Sequence, residues 1–298
     1  MRPTALIPAL ICAAALILSF LCLFAGHKKN FLENYHMLTL NTSRIGYNLV
    51  DSDDATNTSN PVTNLWNEFT NNIGDEVNEF AGDLAERLGV EDFYSAHLLD
   101  YCYGSYVPGV MPNATVKSSQ IHKSVKSCSN QTAMGAFDPT TIIQQALNDS
   151  GLDITLQDLN WPEDIQTGIN ALKIIQKTAF VLYCIAIGLI FLSLIAALPA
   201  LFAQGRLAAC LNVMVAALAF LAIGLASALV TAVIVKGSNV INKYGDEIGV
   251  EAHKGGKFLA ITWSATVLMF IVMGMWMFET CIGHRRRERR STYVPKHG

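Results

Sequence analysis

Charged side chains disappear from four long stretches of the chain: between Thr4 and Gly26, between Lys177 and Arg206, between Arg206 and Lys236, and between Lys257 and Glu279. Each gap is dominated by apolar residues and, at about 1.5 Å per helical residue, is long enough to cross a hydrocarbon core of roughly 30 Å. Backbone amides in lipid must be satisfied within their own segment, so the gaps predict membrane-spanning helices at residues 5–26, 178–203, 207–235 and 258–282. The first stretch also has the position of a secretory signal peptide. Its apolar run is longer than an h-region and Phe24-Ala25-Gly26 is a poor cleavage site, so it reads as a retained anchor. Only Gln204, Gly205 and Arg206 separate the second and third spans, which predicts a tight antiparallel hairpin.

The polar segment between the first two spans, residues 27–176, carries helical periodicity of its own. Leu65, Phe69, Ile73, Val77, Phe80, Leu84 and Leu88 recur at intervals of three and four between a start signal at Asn60-Pro61 and a stop at Gly89, with acidic residues on the other faces. A second helix is expected after Asp138-Pro139, through Ile142, Ile143, Ala146 and Leu147, ending at Gly151. A third begins near Trp161-Pro162 and runs through Ile165, Ile169, Leu172 and Ile175 into the second span. Residues 92–103 have mixed periodicity and fit a strand or a helix equally well. The fold class expected is therefore an all-α membrane protein, four transmembrane helices with a largely helical exterior domain between the first and second.

Composition adds that 51% of residues are hydrophobic and 15% charged, against roughly 25% charged in a soluble domain. A net charge of -3 leaves no basic excess to neutralise a phosphate backbone, which excludes nucleic acid as a default partner. The distribution of charge predicts orientation. Arg285, Arg286, Arg287, Arg289 and Arg290 follow the fourth span, so the tail 283–298, the Arg206 turn and residues 1–4 are expected in the cytoplasm. Residues 27–176 and the loop 236–257 are then exterior; the former holds 19 acidic residues against 8 Lys and Arg. Lys28 and Lys29 run against the charge rule, which long translocated segments escape.

Of seven cysteines only Cys102 and Cys128 lie in the exterior segment, and an even pair in an oxidising compartment predicts one disulfide. Five sequons mark glycosylation candidates at Asn41, Asn57, Asn113, Asn130 and Asn148. Cys281 beside the Arg cluster is a candidate for S-palmitoylation, and the cluster itself should attract anionic inner-leaflet lipid. No catalytic, cofactor or metal residues can be assigned: the seven histidines have neither metal-ligand spacing nor a recognisable catalytic context. The spans hold no Asp, Lys, Arg or His; Asn212, Ser193, Ser227, Thr231 and Thr262 read as interhelical hydrogen-bonding residues. Ala222, Gly224, Ala226 and Ala228 let the third span approach another helix, within a bundle or between copies.

The run from Phe93 through Tyr101-Cys102-Tyr103-Gly104, followed by Ser127-Cys128-Ser129 and Phe137-Asp138-Pro139, resembles the fungal Sur-seven/PalI family of four-span plasma-membrane proteins. The order of features agrees over nearly the whole chain. The resemblance implies, for its cortical-patch branch, furrow-like membrane domains called eisosomes, wall integrity and endocytosis, and for its PalI branch assistance to ambient-pH signalling. The long exterior segment and the 16 residues after Ile282 favour the cortical-patch branch. The expected function is a non-catalytic organiser of the plasma membrane without a cofactor, acting through lipids and lateral protein contacts or self-association; the alternative is an accessory subunit of pH sensing.

Overall fold

The computed structural model describes residues 3–45, 61–70, 85–86, 88–108, 120–133, 135–200 and 206–291. Two compact units emerge: one from residues 1–23, 178–228 and 259–298, the other from residues 24–177 and 229–258.

The first unit is built on four helices: α1 (Pro3–Phe24), α4 (Glu163–Ala200), α5 (Arg206–Gly245) and α6 (Gly256–Ser291). All four are long and apolar enough to cross a membrane. Their packing is inverted relative to a soluble bundle. On α1 the buried stripe is Ala9, Cys12, Ala15, Ser19 and Cys22, whereas Leu6, Ile7, Leu10, Ile17 and Phe20 face outward. On α5 Ala216, Ala219, Ala222 and Ala226 are buried while Leu218, Leu221 and Leu225 are exposed. Lipid solvates large apolar side chains as well as a core does, so small residues gather inside where they permit close helix contact. Of the other small residues on this helix, Gly224 is half-buried facing Thr266 and Ala228 is exposed.

The hydroxyls expected between helices do meet there. Ser227 lies 2.7 Å from the Thr262 hydroxyl and 3.0 Å from that of Thr266. Tyr183, which the sequence did not single out, closes the network on Thr262. Cys12 and Ser193 are 3.6 Å apart.

The second unit departs from the helical expectation. It holds a five-stranded antiparallel sheet in the order β4-β3-β2-β1-β5, made by β1 (Leu38–Asn41), β2 (Phe93–Ala96), β3 (Tyr101–Val107), β4 (His122–Cys128) and β5 (Glu251–Lys254). The open region 92–103 resolves into the β2–β3 hairpin. The loop 236–257 is not a plain connection either: it delivers β5 to pair with β1, Thr39 opposite His253. Asn242 fixes that strand by hydrogen-bonding both the N–H and the carbonyl of Ala252.

The expected helices are present beside the sheet. Helix α3 (Pro139–Asp149) starts at Asp138, whose carboxylate accepts from the Thr141 amide and hydroxyl, a cap worth about 1 kcal/mol. It stops before Gly151, which adopts φ +73°. Helix α4 begins at Glu163 as its Trp161-Pro162 signal predicts. Of the helix expected from Leu65 to Leu88, α2 (Pro61–Thr70) is seen and residues 71–84 lie outside the described residues. Leu38, Leu40, Tyr94, Ala96 and Ala252 project from one face of the sheet into a core with Val62, Ile143, Leu147 and Ile241. The alternate positions Thr39, Ser95 and Cys102 line the opposite face.

Candidate functional site

The opposite face of the sheet is where the polar chemistry of the second unit converges. Two short segments bring it there: the loop after α1, from Gly26 to Met37, and the turn between β2 and β3. The loop is tied to the sheet when Met37 N–H donates to the Ala96 carbonyl and Gly255 N–H to the Met37 carbonyl, each at 2.8 Å. The turn is closed by His97 N–H donating to the Asp100 carbonyl at 2.8 Å. Within these segments His97 and Asp100 are 1% and 7% exposed.

The hydrogen bonds fix the tautomer of His97. Its Nε2 lies 3.3 Å from the Glu33 carbonyl, which only accepts, so Nε2 carries the hydrogen. Nδ1 is left as an acceptor facing Asp100 Oδ1 at 3.4 Å, and among the described residues neither atom makes another hydrogen bond. Burial drives the imidazole pKa down to about 4 and the Asp100 carboxyl up to about 6, the latter against the Gln131 amide and His27, which favour the anion. Both shifts favour the neutral forms, in which the Asp100 O–H is the natural donor to Nδ1. His36 stands edge-on to His97 with ring centroids 6.4 Å apart. Burial, with Lys123 adding to it, brings its pKa down to about 4 as well.

Gly26, in the loop after α1, closes this pair. It adopts φ +82°, and a Cβ there would collide with His97 Nδ1 and lie 2.7 Å from Asp100 Oδ1, so the position demands glycine on both conformational and steric grounds. Next to it Cys102 pairs with Cys128 across β3 and β4 in a disulfide. The 3.5 Å approach of Cys102 Sγ to the Gly26 carbonyl is a packing contact, because a disulfide sulfur has no hydrogen to donate. His97, Asp100 and Cys102 place one potential metal-ligand atom each within 4.8 Å. With the sulfur held in the disulfide rather than as thiolate, the group offers only two competent ligands.

The sequence model of the SUR7/PalI family covers residues 4–274. The chain belongs to the SUR7/PalI family. No curated protein and no solved structure matches it.

In this SUR7/PalI chain the predicted Cys102 and Cys128 are brought together, whereas the described glycosylation candidates are not gathered with them. Asn41 lies on β1, its carbonyl oxygen accepting from the amide and hydroxyl of Ser43 within the same sequon. Asn130 is exposed, and Asn148 sits at the exposed end of α3, accepting from Gln144 at 3.0 Å. Asn57 and Asn113 lie outside the described residues. Helix α6 carries its backbone past Cys281 and through Arg285, Arg286, Arg287, Arg289 and Arg290 to Ser291. The polar cluster itself was missed: His36 and His97 lie far apart in the sequence, and only the hairpin and the loop after α1 bring them together. The one local signal is Gly26 at the end of an apolar span.

Proposed function

We propose that the protein is a non-catalytic, multi-pass protein of the plasma membrane that organises cortical domains of the eisosome kind and contributes to wall integrity or endocytosis. Its termini are cytoplasmic and its sheet unit is exterior. The observation that carries this reading is the sealing of the polar cluster in a SUR7/PalI chain: His97 and Asp100 are almost fully buried and capped by Gly26, so no substrate reaches them. What the protein does present is the outward apolar surface of its spans, exemplified by Leu218, Leu221, Leu225 and Phe270. Such a surface interacts with acyl chains and neighbouring spans. The Arg cluster of α6 adds attraction to anionic inner-leaflet lipid of about 1 kcal/mol per charge, and acylation at Cys281 would strengthen it. A cell lacking the protein should show diffuse cortical markers and sensitivity to osmotic or wall stress. Retained cortical patches and normal stress resistance would contradict the proposal.

One observation favours a second reading, an accessory role in pH sensing. The buried groups His36, His97 and Asp100 hold pKa values of about 4, 4 and 6, so acidification changes charge inside the sheet unit itself. Under that reading the same deletion leaves the cortex intact and abolishes the transcriptional response to alkaline medium.

A further inference from the structure

The polar face of the sheet also contains an opening that the buried pair does not use. Its volume is about 340 Å³ and its wall includes Glu33, Asn34, Ser95, His122 and Lys123. That volume is at the lower end of small-molecule sites, about 300–1,000 Å³. Lys123 is accessible to solvent, yet its ammonium ends inside the sheet face, donating to the buried Thr39 hydroxyl at 2.7 Å. Thr39 is in turn 3.2 Å from the Ser95 hydroxyl, and the ammonium stands 5.3 Å from the centre of the Phe93 ring.

None of these neighbours is an anion. Lys126, three residues along the same strand, has Glu91 at 2.6 Å, and Lys173 is paired with Asp138. Among the described residues no carboxylate lies within 4.0 Å of Lys123. Glu33, the acid on the wall, is engaged elsewhere, accepting from the Asn30 amide at 3.1 Å. His36, in turn, feels the positive charge of both Lys123 and Lys257. A cation held against a polar sheet face without a counter-ion favours an anion from solution, and here a solvent-connected space lies beside it.

We propose that this opening is a binding pocket for a small oxyanion, a carboxylate or phosphate borne on a polar molecule of about monosaccharide size, with Lys123 as the cationic anchor. The Asn34 amide, the Ser95 hydroxyl and the His122 imidazole supply further hydrogen-bonding groups on the wall. The site sits inside a segment that is acidic overall, so it selects by geometry rather than by bulk charge.

The test is calorimetric titration of the full chain in detergent at constant ionic strength, with glucuronate and inorganic phosphate as anionic probes and glucose as the neutral one. Saturable binding of at least one anion, weakened about tenfold or more by Lys123→Gln and unchanged by Lys126→Gln, is the expected result. Burial lowers the Lys123 pKa to about 8, so glucuronate affinity should fall about tenfold per pH unit above that value. Lys123→Arg should bind without that alkaline fall, because guanidinium stays protonated. The Arg profile decides the matter even if Lys123→Gln does not fold. The proposal is overturned if neither anion binds, if glucose binds as well as glucuronate, if Lys123→Gln binds like the wild type, or if Lys123→Arg keeps the alkaline loss.

Discussion

Helix α5 in the bundle unit buries Ala216, Ala219 and Ala226 and exposes Leu218, Leu221 and Leu225, while α3 in the sheet unit buries Ile143 and Leu147 and exposes Gln145 and Asn148. Both helices are amphipathic in size or polarity, but the sign is reversed. Where water is the solvent, burial of a large apolar side chain is the driving force. Where lipid is the solvent that force is absent, and close approach of small residues plus a few hydroxyl bonds such as Ser227–Thr262 holds the helices instead. The same difference governs the polar groups. Among the described residues the bundle buries neutral polar groups, the hydroxyls and thiols with the Asn212 amide and the Trp276 indole, whereas the sheet unit buries imidazoles and a carboxyl, at the cost of shifting their protonation.

The sharpest way to break this comparison is to truncate one leucine in each unit. Leu147→Ala should destabilise the sheet unit by about 2–5 kcal/mol through the lost transfer energy and the cavity left behind, read as faster hydrogen exchange in β1 and α3. Leu221→Ala, on the lipid-facing side, should change stability by less than about 0.5 kcal/mol. Equal effects would mean that the two units share one solvent.

Next in size is the disulfide. Cys128→Ser should cost the sheet unit about 3 kcal/mol, since a closed loop of roughly 25 residues restricts the unfolded chain. Its effect should be confined there: hydrogen exchange of the α4 and α5 spans should not change, because the bundle's Cys12 and Cys22 are unpaired thiols. Reductant applied to the wild type should reproduce the result.

Acidification provides a smaller and more graded test. His36 and His97 have folded pKa values of about 4, below the imidazole value of about 6.5 in an unfolded chain. The unfolded state therefore takes up their protons first, and stability is lost as pH falls from about 6.5 to 4. Asp100, at about 6, works the other way and gains stability as pH falls from 6 toward the unfolded carboxylate value of about 4. Two losses against one gain leave a net loss of roughly 4 kcal/mol by pH 4. His97→Gln removes one of the losses and should flatten the profile of thermal unfolding between pH 6.5 and 4. An unaltered slope would show that His97 is not held neutral.

The bundle was the more legible half, and the reason is physical. Lipid tolerates almost no charge, so the uncharged gaps bounded by Lys177, Arg206, Lys236 and Lys257 mark the spans directly. Local rules also found α3, where Asp138, Pro139 and Gly151 supply cap, first turn and stop. The sheet escaped because β1, β2 and β5 have four residues each, too few to establish a period of two. In β2 all four residues are buried, which erases the alternation altogether. Strand β5 comes from a different loop, more than 200 residues from its partner β1. The disulfide could be read from the one pair of cysteines between the first two spans, but not the cluster behind it, since Gly26, His97 and Lys123 reach the same face only through the folding of separate segments onto the sheet.

Protease accessibility in intact cells most directly tests the proposed topology, with the bundle in lipid and the sheet unit in water outside the cell. Tags at the two ends of the chain should be protected, while a cleavage site placed between residues 46 and 60 should be cut from outside. Protection of that site together with cutting of either terminal tag would contradict the topology and the function proposed from it.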